Sequence, residues 1–145
     1  MQAVIFIGIQ ASGKTSFYRD HFFHTHLRLS LDLLKTRYRQ GVLMNACLST
    51  RQRFVIDNTN VLRQERAIYI AAAKAAQFEV IGYYFVTELE AALERNSQRT
   101  GEQFIPVQGV GATHRRLEPP VLEEGYDRLY KVSIGAANTW EISED

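Results

Sequence analysis

The sequence predicts a three-layer α/β domain: a mainly parallel five-stranded sheet, helices on both faces and a small lid. Two observations carry that reading. Short, nearly all-apolar runs alternate with segments of helical composition, and strands joined through crossover helices lie parallel. The 145 residues also suit a single domain, residues 1–145, with the lid at about 95–120. A chain of this size buries about 70% of its unfolded surface, enough for one core without covalent staples.

The first element is Gln2 to Ile7, a β-rich apolar run that reads as a buried strand. Gly8 to Thr15 is a glycine-bearing loop, and Lys14 to about Phe23 a helix. Leu27 to Ser30 alternates and forms a short second strand. Ser30 caps a helix to about Gln40, Gly41 breaks it, and Val42 to about Arg51 is helical again. Phe54 to Ile56 is a third strand, ending at Asp57-Asn58-Thr59-Asn60. Leu62 to Ala76, rich in alanine, is the clearest helix. Phe78 to Val86 is a fourth strand, and Glu88 to about Arg99 a helix whose opening acids suit its dipole. Gly101 to Pro120 holds three glycines and all three prolines, so it reads as a mobile loop. Leu129 to Ile134 is the last strand, before a polar tail anchored by Trp140. In parallel sheets ligands sit beyond the strand C-termini, so Gly8–Thr15, Ser30–Asp32 and Asp57–Asn60 are expected to converge on one edge.

Composition narrows the function classes. With 46% hydrophobic and 23% charged residues, the chain is neither disordered nor fibrous. Cys47 is the single cysteine, which excludes an intramolecular disulfide and a cysteine-based zinc site and fits a reduced, cytoplasmic setting. The apolar run Ala3–Ile7 is too short to span a membrane and lacks the basic leader of a signal peptide. Net charge is only +1, but it is unevenly spread: residues 1–66 carry 10 Lys/Arg against 4 Asp/Glu, and residues 67–145 carry 7 against 12. Either this is a chance surface balance, or the N-terminal half faces anionic ligands.

Gly8-Ile-Gln-Ala-Ser-Gly13-Lys14-Thr15 matches G-x-x-x-x-G-K-[ST] at every defined position. The glycines let successive backbone N–H groups turn inward, and the following helix adds its positive end. Gly8, Ala11, Ser12, Gly13, Lys14, Thr15 and Ser16 are therefore expected to line a nucleoside triphosphate, with ATP favoured. Lys14 would reach the β- and γ-phosphates and the Thr15 hydroxyl would ligate Mg²⁺. Asp57, at the end of an apolar strand, either supplies the second Mg²⁺-directed carboxylate or caps the next turn. Asn58 stands where motor-type ATPases place a water-activating Glu, which weakens a motor-type reading of the chain.

Asp32 follows the second strand at the expected ligand edge. It either accepts the proton of an attacking hydroxyl or is an acid in a first helical turn. Lys35, three residues on, either holds an anion near the acceptor or pairs with Asp32. Arg95 and Arg99, at i and i+4, either form the charged face of a closing lid or complement a helix C-terminus. His21, His24 and His26 read as a helix end with partly exposed imidazoles rather than a metal site. His114-Arg115-Arg116 is left open between a basic lid patch and a solvated face.

With these residues in place, the chain resembles the P-loop kinase domain of polynucleotide 5′-hydroxyl kinases, of the phage and animal end-healing kinds. The resemblance runs from about Val4 to Leu129. It is carried by Val55-Ile-Asp-Asn-Thr-Asn60, Arg66-Ala-Ile-Tyr69, Arg95-Asn-Ser-Gln-Arg99, Ile105-Pro106-Val107 and Pro120-Val-Leu-Glu-Glu-Gly-Tyr126. It implies that Asp32, in Ser30-Leu-Asp-Leu-Leu-Lys35, is the general base and that Arg95 and Arg99 are lid arginines. Lys35, Asn58 and Asn60 are the candidate acceptor-binding residues. Lys35 replaces an Arg of the phage enzyme, keeping charge but not the planar fork, and the expectation is a kinase alone, without a phosphatase domain. The implied activity is transfer of the γ-phosphate of ATP to a nucleic-acid 5′-OH end. The same scaffold serves zeta-type toxins acting on a nucleotide sugar and many small-molecule kinases. A nucleotide-dependent switch acting on a protein partner is the third reading.

Overall fold

The computed structural model describes residues 1–86, 107–135, 137 and 139–145. In chain order the elements are β1 (Gln2–Ile7), α1 (Lys14–His21), β2 (Leu27–Leu29), α2 (Leu31–Leu34), α3 (Arg37–Thr50), β3 (Phe54–Asp57), α4 (Arg63–Ala75), β4 (Glu79–Phe85), α5 (Val107–Arg116), β5 (Arg128–Ile134) and β6 (Trp140–Glu144). One sheet orders the strands β2-β3-β1-β4-β5-β6. The first five run parallel, as expected, and β6 adds an antiparallel edge.

Strand periodicity divides the core in two. On one face Ala3, Ile5 and Ile7 join Phe54 and Ile56 and pack under Met44 and Cys47 of α3 and Tyr69, Ile70 and Ala73 of α4. On the other, Val4, Phe6, Val55 and Phe85 pack against Phe17 of α1 and Phe22. Phe6, Phe17 and Phe85 meet edge to face, with ring centroids 4.9 to 6.0 Å apart. Burial of each such side chain contributes about 1.5–3 kcal/mol, so β1 is anchored from both sides. Its C-terminus, where the Gly8 loop begins, is therefore packed between the two layers.

Four local expectations are corrected. The helix expected from Ser30 to Gln40 is one turn, α2, closed by Lys35 in the left-handed region at φ 73°. Thr36 then caps a new helix, its hydroxyl accepting from the Arg39 N–H. Gly41 lies inside α3 rather than ending it, and a Cβ there would meet nothing within 4 Å. Within the expected loop 101–120, Val107–Arg116 is helical despite Gly109 and Gly111. Val110 is fully buried, and the Thr113 hydroxyl bonds back to Gly109 O. The polar tail is β6, paired with β5 from Ile134↔Trp140 to Tyr130↔Glu144. Among the described residues no helix is long and apolar enough to cross a membrane.

Candidate functional site

β1 delivers the chain into the glycine loop, and β3 lies beside it with Phe6 opposite Asp57. The Gly8 N–H donates to Thr59 O at 2.9 Å, which ties the two post-strand loops together. A Cβ on Gly8 would lie 2.9 Å from Ser12 Oγ and 3.0 Å from Phe85 Cβ, so the loop closes only around hydrogen. Ala11 (φ 61°) and Gly13 (φ 96°) take left-handed conformations, the kind of backbone turn on which a main-chain anion nest is built. Lys14 folds over the loop, donating from Nζ to Gly8 O at 3.0 Å and Ile9 O at 2.8 Å. Gly13 is covered from outside by Trp140, whose ring would sit 3.1 Å from a Cβ there and whose Nε1–H donates to Asp20. Thus β6, which local pattern did not announce, braces the loop.

Thr15 and Asp57 come together as expected. The Thr15 hydroxyl donates to Asp57 Oδ2 at 3.3 Å, and the Asp57 side chain is 2% exposed. A hydroxyl and a carboxylate at this spacing are hard-oxygen donors of the type Mg²⁺ takes, so the residues fit that ion. Arg28 was not foreseen there. Its Nε–H donates to Asp57 Oδ2 at 2.8 Å and its Nη2 to Thr15 Oγ1 at 3.3 Å. The available signal was an arginine in a strand ending at the ligand edge.

Asp32 occupies the first turn of α2, directly beyond β2, and is exposed; its N–H donates to Ser30 Oγ at 3.2 Å. That turn is held from β3. Asn58 Oδ1 accepts from the Leu31 N–H at 3.0 Å and from Gln40 Nε2 at 3.2 Å. Asn58 Nδ2 in turn donates to Gln40 Oε1 and the Tyr69 hydroxyl. Tyr69 donates to Gln40 Oε1 at 2.7 Å and accepts from Arg37, whose other arm pairs with Glu65. Burial raises the Tyr69 pKa, with Arg37 opposing, so the hydroxyl stays a donor. The Asn58 amide therefore makes protein contacts that hold the Asp32 turn. Asn60 likewise donates to Phe6 O at 2.7 Å beneath the loop.

Arg66 completes the frame. It is fully buried, pairs bidentately with Glu124 at 2.9 and 3.0 Å, and donates to Asn60 O and Val61 O. Gln10, in the loop, donates to the Thr113 hydroxyl of α5 at 3.0 Å. Lys35 is exposed just past α2. Arg95 and Arg99 lie outside the described residues.

The three histidines do not act together, and the described residues hold no cluster of metal-ligating groups. His26 is buried, contrary to a partly exposed helix end. Nε2–H donates to Gln2 Oε1 and Nδ1 accepts from Thr25. Burial, with Arg53 nearby, pushes its pKa down to about 4. His21 stacks on Phe17 at 4.1 Å.

Residues 4–120 match the profile of the AAA domain. The chain belongs to that family. This AAA domain is 22% identical, over 97% of its length, to a bifunctional polynucleotide phosphatase/kinase of Schizosaccharomyces pombe, of which it spans 35%. Its fold matches Kti12 of Chaetomium thermophilum in complex with ADP-AlF3, at TM-score 0.74 and 17% identity, covering 94% of this chain and 92% of that one. It also matches a gluconokinase from Sinorhizobium meliloti, at TM-score 0.64 and 18% identity, covering 92% and 83%. The AAA domain is thus a P-loop, kinase-like nucleotide-binding fold.

Proposed function

We propose that this chain is an ATP- and Mg²⁺-dependent phosphotransferase whose acceptor is the 5′-OH end of a nucleic acid. The observation that carries the reading is the Asn58 amide. It bonds the N–H of Leu31 and so holds the Asp32 turn at the edge that bears the nucleotide loop.

In this reading the backbone N–H groups of Ala11 to Thr15 and the Lys14 ammonium bind the β- and γ-phosphates. Thr15, with Asp57 bonded to its hydroxyl, would hold Mg²⁺, which would supply charge neutralisation. Asp32 accepts the proton of the attacking hydroxyl as the new O–P bond forms and the bond to ADP breaks. Arg95 and Arg99 are assigned to the developing charge on the transferred group, within a lid at about 95–120. Around Asp32 the surface carries Lys35, Arg37, Tyr38 and Arg39, with Tyr38 80% exposed. Cations around an exposed aromatic suit a phosphate backbone with a base to stack. The polynucleotide phosphatase/kinase relative supports the same acceptor.

The test is transfer from labelled ATP to 5′-OH oligonucleotides, nucleosides and nucleotide sugars, beside a control without acceptor. Labelled oligonucleotide is expected. Lys14→Ala should abolish turnover, and Asp32→Asn should keep ATP binding while transfer falls about 10²–10⁴-fold. Label on nucleosides or nucleotide sugars alone would overturn the acceptor. Free phosphate alone, independent of acceptor, would point instead to a switch acting on a protein. Oligonucleotide affinity should fall steeply with salt.

A further inference from the structure

The carboxylate expected behind the metal already has a cation on it. Asp57, Thr15 and Arg28 form a closed triangle. Arg28 Nε–H donates to Asp57 Oδ2 at 2.8 Å, Arg28 Nη2 donates to Thr15 Oγ1 at 3.3 Å, and Thr15 Oγ1 donates to Asp57 Oδ2 at 3.3 Å. The Asp57 side chain is 2% exposed, and a carboxylate so buried demands compensation. A threonine hydroxyl has one proton and two lone pairs. Here the proton goes to Asp57 and one lone pair to the guanidinium. Mg²⁺ binds oxygen at about 2.0–2.1 Å. An ion on Thr15 Oγ1 would therefore lie against a like charge 3.3 Å from the same oxygen. Arg28 has room to leave, because its side chain is 24% exposed and stands on β2, a three-residue strand at the sheet edge.

We infer that Arg28 is a resident counter-cation of the metal site, neutralising Asp57 when no divalent ion is bound and displaced when one is. The chain's affinity for metal–nucleotide is then set by this exchange as well as by the loop. The inference rests on the nucleotide-and-metal reading above and needs no acceptor.

The test uses Mn²⁺ as probe, its binding followed by electron paramagnetic resonance with ADP present and no acceptor. Arg28→Met, which keeps the stem and removes the charge, should bind Mn²⁺ about tenfold more tightly, the scale of one charge-assisted contact. Arg28→Lys should fall between. ADP binding in the presence of a chelator should stay within about twofold of wild type, since Arg28 competes for metal and not for phosphate. Unchanged or weaker Mn²⁺ binding in Arg28→Met would overturn the inference while leaving the metal site standing. A wild-type chain that binds ADP but no Mn²⁺ would overturn the metal reading itself. Should Arg28→Met fail to fold, the wild-type chain serves. Its Arg28 Nε–H resonance, assigned by its loss in Arg28→Lys, should shift and exchange faster when Mg²⁺ and ADP are added. An unchanged resonance would overturn the exchange.

Discussion

Arg66 offers the sharpest stability test. Its side chain is 0% exposed and that of Glu124 3%, and the two are joined by a bidentate pair at 2.9 and 3.0 Å. Its Nη1 also bonds Asn60 O and Val61 O at 2.9 and 3.2 Å. Arg66→Met keeps most of the volume and removes every one of these donors. A buried carboxylate that loses its partner costs about 3–5 kcal/mol. The stranded carbonyls add about 1 kcal/mol each, though part of that overlaps. Arg63, whose Nε is 4.0 Å from Glu124, can move in and recover some of the loss. The expected cost is therefore about 4 kcal/mol, a large share of a domain stability of about 5–15 kcal/mol. Urea unfolding read by circular dichroism and by the single tryptophan, Trp140, gives the difference by linear extrapolation. Arg66→Met with Glu124→Leu removes both charges and should regain most of the loss, because an apolar pair of similar volume replaces a buried ion pair at little cost. A cost below about 1 kcal/mol for the single change, or no recovery in the double, would refute the reasoning. Because Arg66 holds Asn60, and Asn60 holds Phe6 O at the foot of the nucleotide loop, ATP affinity should fall with stability.

Two further outcomes follow from the same geometry. His26 is neutral in the fold, its pKa pushed from 6.5 to about 4. Between those values the unfolded chain takes up a proton that the folded chain refuses, so stability falls as pH drops from 6.5 toward 4, by at most about 3 kcal/mol. Urea midpoints at pH 7 and 4.5 should show that slope, flattened in His26→Gln; parallel slopes would remove the argument. Asn58→Leu should leave ATP binding within about twofold but lower kcat about tenfold or more, since displacement of a catalytic group by ångströms is costly. A wild-type kcat with a raised KM for acceptor would instead make Asn58 an acceptor contact.

The nucleotide loop was legible because its requirement is local. Gly13 must take a left-handed φ and Gly8 must lack a Cβ, and no distant residue alters either demand. The sheet was legible because Val4–Ile7 and Phe54–Ile56 are apolar without alternation, which only burial on both faces explains. Gly41 misled because propensity is weak. A helix capped by Thr36 carries one interior glycine at a cost of about 1 kcal/mol. The glycines of α5 misled in the same way, outweighed by the burial of Val110.

Sequence alone determined that a phosphate-binding loop follows an apolar strand, that Asp57 ends a later apolar strand and that Asp32 opens the helical turn after another. Those are facts of chain order and backbone chemistry. Tertiary structure alone decided that Arg28 lies on Asp57, that Asn58 reaches Leu31, that Arg66 meets Glu124 and that Trp140 covers Gly13. Each joins residues 27 to 127 positions apart along the chain. No local pattern encodes such pairs, because their partners are chosen by sheet order and by the need to compensate charge removed from water.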